Sequence, residues 1–179
     1  MTLIVQTTFT APIPGVEVRR LEPHVDERGT FTEIFREGWV DAPKFVQWNA
    51  VTSRAGTLRG VHVHRRHADY LVVLAGHLTL GLVDLRPNVG GGRAILEMEA
   101  AKPIAVAIPT GVAHGFLFSA DTVHVYGVSE YFDPADELGC RWDDPALGLP
   151  WPIRPSYLSA RDESLPSLET LRATLAREA

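Results

Sequence analysis

The sequence predicts a mainly β protein, an antiparallel sandwich or barrel that carries a small helical tail. Its 13 prolines and 15 glycines are spread throughout the chain and separate short runs of Val, Ile, Leu, Phe and Thr, a pattern typical of many short strands joined by turns. Signals for helices are scarce before residue 160. With 179 residues, of which 45% are apolar, the chain is long enough for one domain with a sizeable core.

Ten segments are candidate strands because each is rich in β-branched, aliphatic or aromatic residues and is bounded by turn signals. In chain order they are Gly15–Arg20, Thr30–Phe35, Phe45–Ser53, Thr57–His64, Tyr70–Ala75, His77–Asp84, Ala94–Glu99, Ile104–Ile108, Gly115–Phe118 and Thr122–Tyr131. The tight Ala75, Gly76, His77 junction indicates a hairpin. The segment Arg86–Gly92, RPNVGGG, is predicted to be a loop.

The end of the chain is predicted to be helical. Leu168, Leu171 and Leu175 are spaced for one helical face, and Ser167 is a suitable N-cap. We therefore expect a single domain over residues 1–179. It would have N-terminal strands at about 1–40, a barrel core at about 41–132 and a C-terminal extension at about 133–179.

Charge and composition limit the function. The net charge of −5 argues against a general nucleic-acid binder, which needs a basic face for the phosphates. The single cysteine, Cys140, allows no intrachain disulfide. The first residues lack the features of a signal peptide, and apolar runs such as YLVVLAG are too short to span a bilayer. We expect a cytoplasmic protein whose partner is a small molecule, without a membrane or nucleic-acid partner.

The stretch TLRGVHVHRRHADYLVV holds three histidines within six residues. His62 and His64 point to the same face of a strand because side chains alternate, whereas Val61 and Val63 point to the other face. A distant histidine, His114 in IPTGVAHGF, follows a Pro-x-Gly turn that would aim it back at the first group.

The spacing of these residues resembles the two-part motif of the cupin superfamily, although Asp69 replaces a Glu and Phe118 an Asn. The resemblance implies a cupin-type double-stranded β-helix, a jelly-roll barrel. Several cupins bind a divalent metal with this constellation, and two or three imidazoles with one carboxylate suit Fe, Mn, Zn or Ni. His62, His64, Asp69 and His114 are therefore an alternative metal site. The other interpretation is that they are structural or face a substrate.

Longer blocks resemble the dTDP-4-dehydrorhamnose 3,5-epimerases. The blocks are DERGTFTEIF (26–35), FVQWNAVTSRAGTLRGVH (45–62), IPTGVAHGF (108–116), EYFDPADELGCRWDDPALGLPWP (130–152) and LSARD (158–162). They occur in the family's order and cover most of the chain between residue 13 and about residue 165. The resemblance implies a metal-free cupin with no cofactor that epimerises a nucleotide-linked 4-keto-6-deoxy sugar, usually as a homodimer.

The resemblance also implies roles for the catalytic residues. The ketone on carbon 4 acidifies the protons on carbons 3 and 5, and epimerisation removes such a proton on one face and returns one on the other. This needs a base, an opposed acid and a group that holds the enolate oxygen. His62 matches the family's base, Asp162 the carboxylate that pairs with it, and Tyr126 the acid. The alternative for Tyr126 is an aromatic that only fills the barrel.

By the same resemblance, further residues bind substrate. They are Arg28, Glu33, Gln47, Asn49, Arg59, His64, His114, Glu137 and Arg161. Arg28 and Arg59 match contacts to phosphate, whereas a solvated surface position is the alternative for Glu137. Arg59 and His62 lie three residues apart, so strict alternation places them on opposite faces unless Gly60 permits a bulge.

One position departs from the family, whose members usually carry a Lys before Leu-Val near the enolate oxygen. Here Tyr70 precedes Leu71 and Val72. A phenol donates a hydrogen bond but brings no positive charge. Tyr70 would take the role of the Lys at the enolate oxygen, and His64 could supply the missing cation if it is protonated. His64 also fits the Arg-Gly-x-His-x-His pattern of sugar 3,4-ketoisomerases, whereas the RWDDP block favours the epimerases.

Four functions are open at this point. The leading one is an epimerase of a nucleotide-diphosphate (dTDP) 4-keto-6-deoxyhexose, acting at carbon 3, carbon 5 or both, in deoxysugar or polysaccharide biosynthesis. The alternatives are a dTDP-keto-sugar 3,4-ketoisomerase, a metal-dependent cupin oxygenase or isomerase, and a non-catalytic module that binds sugar nucleotides. A stoichiometric metal would indicate the oxygenase, and nucleotide affinity without proton exchange would indicate the binding module.

Overall fold

A computed structural model of the chain describes residues 8–10, 13–87, 89 and 91–177. Its strands are β1 (Thr8–Thr10), β2 (Glu17–Arg20), β3 (Pro23–Asp26), β4 (Gly29–Thr32), β5 (Gln47–Ser53), β6 (Leu58–Val63), β7 (Asp69–Ala75), β8 (His77–Asp84), β9 (Arg93–Glu99), β10 (Ile104–Ile108), β11 (Val112–Phe118), β12 (Thr122–Val128) and β13 (Leu138–Gly139). Its helices are α1 (Ala160–Glu163) and α2 (Leu168–Arg177), with short 3₁₀ turns at Glu37–Trp39, Pro134–Asp136 and Pro145–Leu147.

Within these ranges the strands form two main antiparallel sheets. The six-stranded sheet has the order β1-β2-β10-β7-β12-β5, the five-stranded sheet has the order β13-β6-β11-β8-β9, and β3 and β4 form a separate hairpin. Strands that are distant in the chain are neighbours in the sheets: β6 pairs with β11, and β5 pairs with β12. This crossed order is that of a jelly roll rather than of a simple meander.

Apolar side chains from both sheets fill the space between them. Leu78, Leu80 and Leu82 alternate along β8 and pack with Val106 of β10 and Phe118 of β11. Each fully buried side chain of this size contributes roughly 1.5–3 kcal/mol relative to an exposed one. The outer face of the five-stranded sheet is covered by the C-terminal segment, so strands such as β8 are buried on both faces.

The C-terminal helix follows its predicted pattern. α2 begins after Ser167, whose hydroxyl accepts a hydrogen bond from the backbone N–H of Thr170 at 3.2 Å. Leu168 and Leu171 are buried, and Leu175 packs against the same cluster. This cluster also holds the outward-facing valines of β6 and thereby ties the C-terminal extension to the strand that carries the histidines.

Some element boundaries differ from the predictions. β4 ends at Thr32 and β12 at Val128, so both strands are shorter than expected. The sequence analysis missed β3, because every residue of Pro23–Asp26 is exposed and no apolar alternation marks it. The loop predicted at 86–92 does separate β8 from β9, but residues 88 and 90 lie outside the described part, as do residues 1–7 of the N-terminal region. No helix of the described ranges is long and apolar enough to cross a membrane.

Candidate active site

A pocket opens between the two main sheets. Its lining includes most of the residues singled out from the sequence: Gln47, Asn49, Arg59, His62, His64, Asp69, His114, Tyr126, Glu137, Arg161 and Asp162. β6 and β11 of the five-stranded sheet form one wall, and β5, β7 and β12 of the six-stranded sheet form the other. A flat molecule in the pocket therefore meets side chains of different sheets on its two faces.

A bulge at Gly60 brings Arg59 and His62 to the same pocket. On β11, His114 pairs with His62 and Phe116 with Arg59, so a step of three residues along β6 lies opposite a step of two residues along β11. Gly60 has a φ of +125°, and a Cβ there would lie 2.7 Å from the Cα of Gly115. Only glycine fits such a position. The bulge anticipated from the sequence thus resolves the conflict with strict alternation.

The base candidate and its carboxylate are in direct contact. His62 Nε2 lies 2.6 Å from Asp162 Oδ1, and Asp162 is buried. α1 carries the carboxylate into the pocket, and the Ser159 hydroxyl caps this helix by accepting the backbone N–H of Asp162 at 3.0 Å. Burial raises the pKa of Asp162, but hydrogen bonds from His62, Ser159 and the Gly60 backbone outweigh it and leave this pKa below its usual value.

Tyr126 faces the same pocket from the opposite sheet. It lies on β12, opposite Asn49 of β5. Burial raises the pKa of its phenol, Asp69 and Glu137 raise it further, and Arg59 opposes them. The phenol therefore keeps its proton at neutral pH, which is the state that an acid requires.

The other histidines of the pocket are buried and neutral. Burial lowers the pKa of His64 to about 4 and that of His114 well below its usual value, and it also lowers the pKa of His67. His64 Nδ1 lies 3.1 Å from the backbone carbonyl of Asp136. The condition under which His64 could supply a cation is therefore not met at neutral pH, because burial penalises the charged imidazole.

Tyr70 does not reach the pocket, which corrects its predicted role at the enolate oxygen. Its hydroxyl donates a hydrogen bond to the carbonyl of Ile34 at 2.8 Å, and its ring packs among Phe35 and Trp48. Side chains alternate along β7, so Asp69 lies on the pocket side and Tyr70 on the opposite side. Burial, with Glu137 and other carboxylates nearby, raises the pKa of Asp69 well above its usual value.

The four residues of the alternative metal site do not form a single cluster. His62 is engaged by Asp162, whereas ligand atoms of His64, Asp69 and His114 lie within 4.8 Å of one another. Two imidazoles and one carboxylate are a donor set that suits a divalent transition metal. These three residues are the part of the motif that could hold an ion.

Arg28 and Glu33, both predicted to bind substrate, lie outside the pocket of their own chain, which corrects the expectation that they line it together with the other site residues. Arg28 sits on the exposed β3–β4 hairpin and pairs with Asp26. Glu33 pairs with Arg36. Both ion pairs are exposed to solvent. Arg28 lies in the turn of the separate β3–β4 hairpin, and Glu33 directly follows β4.

Glu137 is part of the pocket wall rather than of a solvated face. Arg161 Nη1 donates to its carboxylate at 2.9 Å, and the nearest carboxylate oxygen lies 3.6 Å from His64 Nδ1. This pair connects α1, which carries Asp162, to the segment between β12 and β13. Two more histidines line the pocket: His67, the third histidine of the 57–73 stretch, to which no site role was assigned from the sequence, and His124, which was not singled out. Alternation along β12 could have indicated His124, which is two residues before Tyr126.

Residues 10–170 match the family profile described as dTDP-4-dehydrorhamnose 3,5-epimerase. The chain belongs to this family. Its members are epimerases, so the chain is an enzyme of the isomerase class. The alternatives, a 3,4-ketoisomerase and a metal-dependent oxygenase, are not favoured by this membership.

Individual relatives agree with the family match. A dTDP-4-dehydrorhamnose 3,5-epimerase of Sinorhizobium fredii is 35% identical over 85% of this chain and 85% of its own length. One of Neisseria gonorrhoeae is 32% identical over 84% of this chain, which spans about half (49%) of that longer protein. The structure of ChmJ, a 3'-monoepimerase from Streptomyces bikiniensis in complex with dTDP-quinovose, has a TM-score of 0.80 and 32% identity, with 94% of this chain and 89% of that chain covered. This likeness confirms the expected cupin-type fold.

Proposed function

We propose that the chain epimerises a nucleotide-diphosphate 4-keto-6-deoxyhexose, such as a dTDP sugar, by removing and returning protons at carbon 3, carbon 5 or both. The observation that carries the proposal is the buried His62–Asp162 pair on one wall of a pocket whose other wall presents Tyr126. A base and an acid on opposite sheets meet opposite faces of a sugar ring between them. Inversion of a carbon needs this arrangement.

The residues divide the reaction between them. His62 takes the proton from the carbon next to the ketone, the electron pair moves to the carbonyl oxygen, and an enolate forms. The Asp162 carboxylate stabilises the imidazolium that results, as a buried negative charge at hydrogen-bond distance does. Tyr126 then gives its proton to the opposite face of the carbon, which restores the ketone with inverted configuration. Exchange with solvent resets His62 and Tyr126. The resemblance implies no cofactor for these steps.

Cationic and polar groups along the pocket suit a nucleotide diphosphate. Arg59 borders the lining, with its Nε donating to the Ser53 hydroxyl at 3.0 Å, and leaves guanidinium donors for phosphate oxygens. Gln47 and Asn49 follow on β5, linked by a hydrogen bond of 3.1 Å, and offer amide groups to a base or sugar. These assignments follow the family resemblance.

We further propose a homodimer that completes this site. Arg28 and Glu33 match substrate contacts of the family but lie outside the pocket of their own chain. Their hairpin also exposes apolar side chains, with Val25 at 77% and Phe31 at 65% exposure, a combination that favours a protein interface. A second copy that covers the hairpin would receive Arg28 in its own pocket.

The dimer is tested by sedimentation and by ligand affinity. Phe31→Asp is expected to yield monomers and weaken dTDP binding, whereas Tyr131→Asp, at another exposed aromatic residue outside the hairpin, serves as the control. A wild-type chain that sediments as a monomer with full activity would refute the proposal. A cytoplasmic location stays a prediction of the sequence.

The activity itself is tested by incubating the chelator-treated protein with dTDP-4-keto-6-deoxyglucose in D2O and following the sugar by NMR. We expect deuterium at carbon 3, carbon 5 or both, and no incorporation with His62→Ala. Tyr126→Phe should allow removal of a proton but block its return on the opposite face, so it should give exchange without inversion. A wild-type protein without exchange would overturn the proposal.

A further inference from the structure

His124 is a buried polar side chain of the pocket that the mechanism above does not use. It lies on β12, is 1% exposed and lines the same pocket as His62 and Tyr126. Its Nδ1 has no hydrogen-bond partner among the described residues. Such an unpaired buried nitrogen costs about 1–3 kcal/mol, and a group of this kind in a binding pocket calls for a ligand that satisfies it.

The surroundings of His124 keep its ring in place and uncharged. The ring stacks on Phe118 with centroids 5.4 Å apart, and Phe116 lies 5.9 Å away. Burial, aided by the positive charge of Arg59, lowers the pKa of His124 to about 4. A neutral imidazole offers one donor and one acceptor, which complements a hydroxyl group that also has both.

The position of His124 along the pocket identifies which hydroxyl it meets. His124 and Tyr126 share a face of β12, with ring centroids 6.3 Å apart. Arg59 lies on the opposite wall, paired with Phe116, which contacts the His124 ring. If Tyr126 serves the reacting carbon 3 and Arg59 holds the diphosphate on carbon 1, His124 lies beside the carbon between them.

We propose that His124 is a specificity-determining residue that hydrogen-bonds the hydroxyl on carbon 2 of the hexose. The proposal rests on the proposed function, because it assumes a sugar held between His62 and Tyr126 with its diphosphate at Arg59. It assigns the substrate class more narrowly: 2-hydroxy sugars are preferred over 2-deoxy sugars. His124 touches no reacting atom in this scheme.

The test compares two substrates and two enzymes. Initial rates of deuterium incorporation would be measured with dTDP-4-keto-6-deoxyglucose and with its 2-deoxy analogue, for the wild type and for His124→Phe. Phenylalanine keeps the stacking on Phe118 but has no ring nitrogen. We expect the wild type to prefer the 2-hydroxy substrate in kcat/KM by about tenfold or more, and His124→Phe to lose this preference. His124→Asn, which places an amide near the position of Nδ1, should restore part of it.

Each outcome has a definite meaning. If His124→Phe lowers kcat/KM equally for both substrates, His124 only supports the fold. If the variant binds free dTDP, which carries no hexose on its diphosphate, more weakly by the same factor, His124 contacts the phosphate. Either result overturns the proposal. If His124→Phe does not fold, His124→Leu takes its place in the same comparison. A wild type that turns over the 2-deoxy analogue equally well also refutes it. Absence of exchange with both substrates would overturn the proposed function and this inference with it.

Discussion

Replacement of Asp162 by Asn tests the central contact of the proposed mechanism. The amide has the shape of the carboxylate and keeps a hydrogen-bond partner for His62 Nε2, which lies 2.6 Å from the present Oδ1. It lacks the charge that stabilises the imidazolium formed when His62 takes the substrate proton. Removal of this charge therefore takes less stabilisation from the ground state, before the proton is transferred to His62, than from the transition state. The substitution should therefore lower kcat rather than weaken binding.

The size of the effect follows from the geometry. At 2.6 Å between the nearest atoms, the centres of the two delocalised charges lie about 4 Å apart, where a unit ion pair in a partly buried site is worth about 4 kcal/mol. The hydrogen bond that Asn retains offsets about 1 kcal/mol of this lost ion-pair energy. The remaining 3 kcal/mol or so corresponds to a kcat about a hundredfold lower, since each 1.36 kcal/mol is tenfold.

The assay is the rate of deuterium incorporation from D2O at saturating dTDP-4-keto-6-deoxyglucose. Ser159→Ala is the matched control, because it removes the hydroxyl that caps α1 but leaves the charge, and it should lower kcat by much less. The affinity for dTDP, measured by calorimetry, should be unchanged in both variants. An Asp162→Asn enzyme with a kcat within about threefold of the wild type would refute the reasoning, since such a change is below 1 kcal/mol.

Three further predictions concern stability and the corrected role of Tyr70. Gly60→Ala puts a Cβ 2.7 Å from the Cα of Gly115 at a φ of +125°, so urea unfolding should show a loss of about 2 kcal/mol or more. Tyr70→Phe should keep kcat but leave the carbonyl of Ile34 without its partner, at about 1 kcal/mol of unfolding free energy; a large loss of kcat would restore Tyr70 to the active site. Because the pKa of Asp162 is lower in the folded than in the unfolded chain, its contribution is present above the unfolded value and is lost as the pH falls through the folded value. The urea midpoint should therefore fall less between pH 6 and about pH 3 in Asp162→Asn than in the wild type.

The fold class and much of the site are readable from local patterns. Short apolar runs between turn residues predict strands because the pleat repeats every two residues, and Ser167 marks the start of α2 by the capping that the structure shows. The same alternation places His62 on the pocket side of β6 and Val61 on the outer side. Asp162 lies 100 residues away from His62, and only the resemblance to a family connected the two.

What the sequence by itself determined is therefore the mainly β class, the terminal helix and the set of residue types that meet in the pocket. The tertiary structure decided which of the candidate residues line the pocket. β7 pairs with β10 on one side and with β12 on the other. This register directs the Tyr70 side chain towards an aromatic cluster and the Asp69 side chain towards the pocket, because register and not composition sets the face of each side chain. Burial between two sheets made His64 neutral, since the charged imidazole would lose its hydration. The same packing left Nδ1 of His124 without a hydrogen-bond partner among the described residues, an outcome that depends on neighbours from other strands that no local pattern specifies.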